Sequence, residues 1–506
     1  MPRSDHSRRW LVLVLALAAA LRLVPVWFGL PYEYARPDEE VAIGHAVNAL
    51  GGELNPQFFH WPSFTFYFFA SLFAFNRTGT YVGDLLIARA AIAVVGTATV
   101  GVVYALTRRI ADMPTAVTAA VFLAVSPLHV RDSHFAMTDI LATFFTVWAL
   151  FLLVRAADDR AAGWFGAAGF VAGLAASTKY TMAALAASMA VAQIAMLGGS
   201  ATAWRQWRNW QPSMAFAAAC ACGFLVGTPY ALIDAGRFLD GVAYDFTHLS
   251  GGHNGAQVGI GWSYHVLRSL PAALGWPLFI AGLAGFVPMI HRQPRAAAIV
   301  GAFGAAVYLS LAPGHTVFFR YILPLTPLLC ISAAFASRAV TPAPRLTALA
   351  LAVPALVTSI WSDVLLARTD TRVIASRWLA DHVKAGESLY QAGSDFADVP
   401  LETLRPQAWP RGVYDAGSGR FGATTLPDWL IVPESALALY TSVPSSLRDL
   451  ATAKYDLVHR VRATRPGVVD AGVYDLDDAF FLPVTGFGAI LRPGPTIVIY
   501  HRANER

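Results

Sequence analysis

The chain is 506 residues long, 56% hydrophobic and only 14% charged, against about 25% charged in ordinary soluble proteins. A soluble globule of this size cannot bury so much apolar surface, so soluble, disordered and nucleic-acid-binding classes are excluded and an integral membrane protein is implied. The net charge of +5 arises in residues 1–367, which hold 22 Lys+Arg and 16 Asp+Glu, whereas residues 368–506 hold 15 and 16. That shift in charge density divides the chain into a membrane domain, 1–367, and a soluble tail, 368–506.

The first apolar run extends from Trp10 to Phe28 behind a basic N-terminus. Arg22, Pro25 and Trp27 make a poor cleavage site, so the run reads as a first transmembrane helix rather than a signal peptide. Further runs long enough to cross about 30 Å of hydrocarbon fall near 85–106, 114–131, 139–154, 161–178, 180–197, 212–230, 270–290, 296–312, 321–337 and 345–366. With eleven spans and a cytoplasmic N-terminus, every inside segment carries at least two arginines, such as Arg108/Arg109, Arg205/Arg208 and Arg292/Arg295. This satisfies the positive-inside rule and puts the tail outside the cytoplasm. The 12-residue stretch 64–75 is apolar but short, and reads as an interfacial helix. Two outer loops are long, 29–84 and 231–268.

The first outer loop contains RPDEEVAIGHAVNALGGELNPQFFHWPSFTFY. Asp38, Glu39 and Glu40 follow Pro37, so they occupy the first turn of a helix, where the dipole favours negative charge. They are either a solvated helix start or a catalytic carboxylate at the membrane surface, acting as general base on an acceptor hydroxyl. The segment SPLHVRDSHFAMTDILATFF brings Asp132, His134 and Asp139 to the mouth of a span, where Asp139 could equally help cap a helix.

Lys179, in GLAASTKYT, is the only lysine in residues 1–367 and lies at the outer end of two runs. It is either a snorkelling side chain or a compact contact for a phosphate. PGHTVFFRYILPLTP adds His315, Arg320 and Tyr321, with Arg320 as a second cation for an anionic headgroup. Arg22 and Arg89 lie in apolar runs, where they pair with outer carboxylates or snorkel. Cys220, Cys222 and Cys330 all lie in apolar runs and form neither a disulfide framework nor a CxxC site. His134 and Asp139 are five apart, and His248 and His253 flank a Gly-Gly pair, so no metal-ligand spacing is evident and no metal is expected. There is no nucleotide-binding glycine loop and no GxSxG.

Taken together, these motifs resemble those of the family 39-like glycosyltransferases of the GT-C fold. That group includes protein O-mannosyltransferases, aminoarabinose transferases of lipid A and Rgt-type galacturonosyltransferases. The resembling residues are Asp38-Glu39, Gly51-Gly52 and His60-Trp61-Pro62 in the first loop, then Asp139, Lys179, and Arg320 with Tyr321. The tail segments PDWLIVPES and RPGPTIVIYHR are similar to the periplasmic tails of bacterial members.

The resemblance implies a polytopic α-helical GT-C fold in a bacterial inner membrane. It implies transfer of a hexose or pentose, with inversion, from a polyprenyl-phosphate donor to an extracytoplasmic lipid, glycan or protein hydroxyl, without a cofactor or nucleic-acid partner. Asp38, Glu39 and Asp139 then hold the catalytic positions, and Lys179, Arg320, Tyr321, His60 and His134 the substrate-binding ones. A transporter or flippase of lipid-linked sugars is the alternative, although its charges would gather at the bilayer midplane rather than at one surface. In the tail, TRVIASRWLADHVKAG reads as a helix ended at Gly386, and WLIVP and TIVIYHR as strands of a small α/β or α+β domain.

Overall fold

The computed structural model describes residues 3–198, 201–252, 259–339, 343–401, 407–422, 425–476 and 478–503. The chain forms two compact units: Met1–Val26 with Val41–Ile360, and Trp27–Glu40 with Trp361–Arg506. The second unit thus takes in Trp27–Glu40, a short stretch that includes the start of the loop expected at 29–84, besides the tail.

The first unit is helical. Among the described residues, seven helical stretches of the chain are long and apolar enough to cross a membrane: Tyr81–Ile110, Thr138–Asp159, Tyr180–Leu197, Trp207–Gly227, Pro294–Leu311, Phe319–Ala339 and Pro344–His382. An eighth is a bent pair, Gly261–Leu274 and Trp276–Arg292, turning by 110°. The bend falls at Gly275, whose φ of +77° suits a residue without a Cβ.

Three of the eleven expected spans end or break earlier than drawn from composition. The first helix, Arg3–Leu23, stops two residues before Pro25. The run at 114–131 is cut by Pro127 into Met113–Ala124 and Pro127–Asp132, because proline lacks the N–H that would continue the ladder. The run at 161–178 gives only Ala162–Ala176. The 12-residue helix read from 64–75 forms over Phe64–Phe75.

Glycines set how closely two of these helices approach. A Cβ on Gly169, Gly173 or Gly223 would come within 2.2 Å of the Phe216, Cys220 or Phe170 carbonyl oxygen. Helices Ala162–Ala176 and Gln211–Gly227 therefore touch backbone to backbone, the close approach that small residues permit in membranes. Neither buried arginine of the apolar runs snorkels. Arg22 donates to the carbonyls of Ala18, Leu123 and Ala124 at 3.0–3.1 Å, and Arg89 to that of Val26 at 3.0 Å.

The second unit is built on a five-stranded sheet. Its strands are β1 (Ser388–Gln391), β2 (Gln407–Trp409), β5 (Trp429–Glu434), β6 (Tyr455–Val461) and β7 (Thr496–Arg502), in the order β2-β1-β5-β7-β6. β1 runs parallel to β2 and β5, while β7 runs antiparallel to β5 and β6. A two-stranded ribbon joins β3 (Tyr414–Asp415) to β4 (Arg420–Phe421).

Alternate residues of β5 and β7 enter two cores. Leu430, Val432 and Val498 pack with Leu447, whereas Ile431, Ile497 and Ile499 pack with Ala375 and Leu379 of helix Thr371–His382. Both faces of the sheet are covered, which is why WLIV and TIVI read as nearly continuous apolar runs.

Candidate functional site

The site is organised by a break in the chain after helix Ala162–Ala176. Ser177 N still donates to Gly173 O at 2.8 Å, and Lys179 N to Ala175 O at 2.9 Å. Lys179 then turns extended, and a 3-10 turn, Tyr180–Ala184, begins. Ser177 is fixed on both sides: its carbonyl accepts from Phe64 N at 3.1 Å and its hydroxyl lies 2.7 Å from that of Thr228. Because the helix beneath packs backbone to backbone, the lysine leaves a rigid base.

Lys179 enters a cleft in the first unit, lined also by His60, Asp139, Asp245, Arg320 and Tyr321. Its ammonium donates to Asp139 Oδ1 at 2.5 Å, with the two side chains 18% and 4% exposed. Asp139 lies in the first turn of helix Thr138–Asp159, yet no side chain caps that helix; the carboxylate is spent on the lysine. The ammonium also lies 4.8 Å from the Tyr321 ring centroid. Arg320 and Tyr321 come from the turn Phe319–Leu325, and the Arg320 guanidinium stands 4.3 Å over Phe318.

The opposite wall comes from helix Ala235–Gly251. A Cβ at Gly241 would lie 2.6 Å from the Phe59 backbone, so only glycine lets the helix lie flush on Phe58–His60. The His60 ring stacks on Tyr244 at 3.8 Å and 13°. Burial pushes the His60 imidazole down from its usual range, leaving a neutral flat surface at neutral pH. Burial raises the Asp245 carboxyl, and Lys179 opposes that rise. Two cations and two carboxylates thus share one cleft, which suits a ligand with an anionic group beside a neutral, hydrogen-bonding one.

Five of the residues expected from sequence therefore meet in one place: His60, Asp139, Lys179, Arg320 and Tyr321. His134 does not join them. It is fully buried, with its ring nitrogens 3.2 Å from Arg131 O and 3.1 Å from Val24 O. His315 faces Ser250 O at 3.0 Å, and His253 lies outside the described residues.

Asp38 and Glu39 occupy the first turn of helix Pro37–Leu50, in the stretch that belongs to the second unit. Glu39 is buried, Asp38 half-buried and Glu40 exposed, so the three acids are not one solvated row. Sequence reasoning missed Asp245. Its nearest signal was Tyr244 and His248 one helical turn apart in a loop too polar for a mere connector. Among the described residues, no group of three His, Cys, Asp or Glu is placed to hold a metal ion.

The backbone matches solved membrane glycosyltransferases. ArnT from Cupriavidus metallidurans, solved bound to undecaprenyl phosphate, superposes with a TM-score of 0.55 over 97% of this chain and 98% of its own, at 15% identity. The GT-C fold is established. The same ArnT in its apo state gives a TM-score of 0.53 over 98% of each chain, at 16% identity. The apo oligosaccharyltransferase of Archaeoglobus fulgidus gives 0.52 over 87% of this chain and 72% of its own, at 13% identity. In sequence, the family model of dolichyl-phosphate-mannose-protein mannosyltransferase matches residues 63–230, a stretch of the GT-C unit that contains Asp139 and Lys179. No curated protein matches the sequence.

Proposed function

We propose that this GT-C chain is a membrane glycosyltransferase that moves a hexose or pentose from a polyprenyl-phosphate donor to an extracytoplasmic hydroxyl, with inversion. The observation that carries the reading is the meeting of Lys179 and Arg320 in one cleft. The fold is shared with an ArnT solved with undecaprenyl phosphate and the family match is to dolichyl-phosphate-mannose transferases, both of which favour a lipid-linked donor. As the bond from the anomeric carbon to the phosphate oxygen breaks, the electron pair goes to the phosphate. Arg320, stacked and planar, and Lys179 stabilise that charge. Tyr321 walls the lysine, and Asp139 holds its ammonium in place.

The acceptor oxygen forms the new bond on the opposite face of the sugar, and its proton goes to a carboxylate. The first-loop motif supports Asp38 in that role, with Glu39 beside it. The arginine-bearing inside segments support a cytoplasmic N-terminus in a bacterial inner membrane and an extracytoplasmic tail. An alkaline phosphatase fused after the tail, active only outside the cytoplasm, checks that orientation and should be active; silence would reverse it.

The test of the reaction is turnover: purified protein in detergent with a short-chain polyprenyl-phosphate sugar should release polyprenyl phosphate. Asp38→Asn should bind donor but lose about 10²–10⁴-fold in turnover, the usual weight of a general base. Near-normal turnover by Asp38→Asn together with a dead Glu39→Gln would move the base to Glu39. No release by the wild type from any donor would sink the reading.

A further inference from the structure

Among the described residues, Asp245 lines the cleft beside Lys179 yet takes part in no hydrogen bond and in no ion pair within 4 Å. Asp139 is different: it already accepts from the lysine at 2.5 Å. Its oxygens are not sealed from water, so the carboxylate is open to a ligand that donates to it. That ligand group cannot be the phosphate, because two anions in contact repel. It is a hydrogen-bond donor next to the phosphate, and in a polyprenyl-phosphate sugar the donors next to the phosphate are the hydroxyls of the sugar ring. The flat, uncharged face of His60, held by Tyr244, stands in the same cleft. A carboxylate for hydroxyls and a planar ring for the apolar face of a pyranose are complementary halves of a sugar site.

We infer that Asp245 is the sugar-reading residue of the cleft, accepting hydrogen bonds from ring hydroxyls of the donor while Lys179 and Arg320 hold its phosphate. This rests on the proposed glycosyl transfer and adds to it which residue selects the sugar. The rival explanation is that Asp245 serves only as a second counter-charge for Lys179.

Binding of two probes to the purified full-length protein separates the two. One is a bare short-chain polyprenyl phosphate. The other is a panel of the same lipid phosphate carrying mannose, glucose, galactose or arabinose. The wild type should bind at least one sugar-bearing probe more tightly than the bare phosphate.

Asp245→Asn, nearly isosteric, should lose roughly tenfold to a hundredfold for that probe, the weight of hydrogen bonds to a charged group, and keep or gain affinity for the bare phosphate. Asp245→Glu keeps the charge but moves it by one methylene, and should fail to restore sugar binding. Equal losses on both probes, or full rescue by Asp245→Glu, would overturn the inference in favour of a counter-charge. Unchanged binding of every probe in Asp245→Asn would place the sugar elsewhere. A wild type that binds neither bare nor sugar-bearing probes fails the glycosyl-transfer reading itself, and the inference falls with it.

Discussion

Removing the positive partner of the Lys179–Asp139 pair should be at least as damaging as removing both partners. Lys179→Met leaves Asp139, 4% exposed, as an uncompensated carboxylate next to a second one, Asp245. Breaking a buried pair in this way costs roughly 3–5 kcal/mol. Lys179 is 18% exposed, so water reaches the gap and the lower end, about 3 kcal/mol, applies. Asp139→Asn leaves an ammonium that still faces Asp245 and some water, and should cost about 1–2 kcal/mol. The double variant has neither orphan charge and should be no worse than Lys179→Met alone, giving a coupling of about 2 kcal/mol between the sites. Reversible unfolding of the four proteins in mixed detergent micelles, followed by tryptophan fluorescence, gives the cycle. Stability losses that add to within about 0.5 kcal/mol would show that the two groups do not act as a pair. That would remove the physical basis for a fixed lysine.

Two further outcomes follow, one from helix packing and one from the tail. Gly173→Ala drives a methyl to within 2.1 Å of Cys220 O and should destabilise by roughly 1–3 kcal/mol, whereas Gly166→Ala on the same helix meets nothing within 4 Å and should be neutral or stabilise by up to about 1 kcal/mol; equal behaviour in thermal unfolding would refute the backbone contact. In the second unit, burial lifts the Asp398 carboxyl to about 6, against the pull of Arg411. A carboxyl raised above its unfolded value of about 3.9 stabilises below that pH and loses the contribution as pH rises through about 6. Asp398→Asn should therefore flatten the loss of stability between about pH 4 and 6 in a pH series of melting curves, and an unchanged profile would show that Arg411 governs the group.

The cleft was legible in sequence where ionisable residues stand alone among apolar ones. Lys179 is the lone lysine of the membrane part, and Asp139 and Arg320 sit at the ends of apolar runs, so each stands out by contrast. Asp245 shares a polar stretch with Asp234, Arg237 and Asp240, and only the helix geometry of Ala235–Gly251 separates the one that faces the cleft. His134 misled for the opposite reason: its neighbours Asp132 and Asp139 are polar, but the turn it occupies points its ring at backbone carbonyls. Strands β5 and β7 were readable because both of their faces are buried. Span counting ran long wherever composition stayed apolar past a proline, as at Pro25 and Pro127. The membership of Trp27–Glu40 in the second unit had no compositional mark, since it depends on partners far along the chain.

Those partners have a consequence for how the protein is made. Arg36 forms a buried ion pair with Asp478, 442 residues later, and Tyr32 donates to Phe396 O at 3.1 Å beneath the Arg372 guanidinium. The stretch bearing Asp38 and Glu39 is therefore synthesised among the first and anchored among the last. A nascent chain can thread its helices into the bilayer one after another, but its first-loop acids wait, unanchored, until the tail has been translated and folded. A premature stop in the tail would then yield an inserted bundle with a loose acid loop. Co-expressing the missing tail as a separate polypeptide should be the remedy, because the anchor is a contact and not a covalent link.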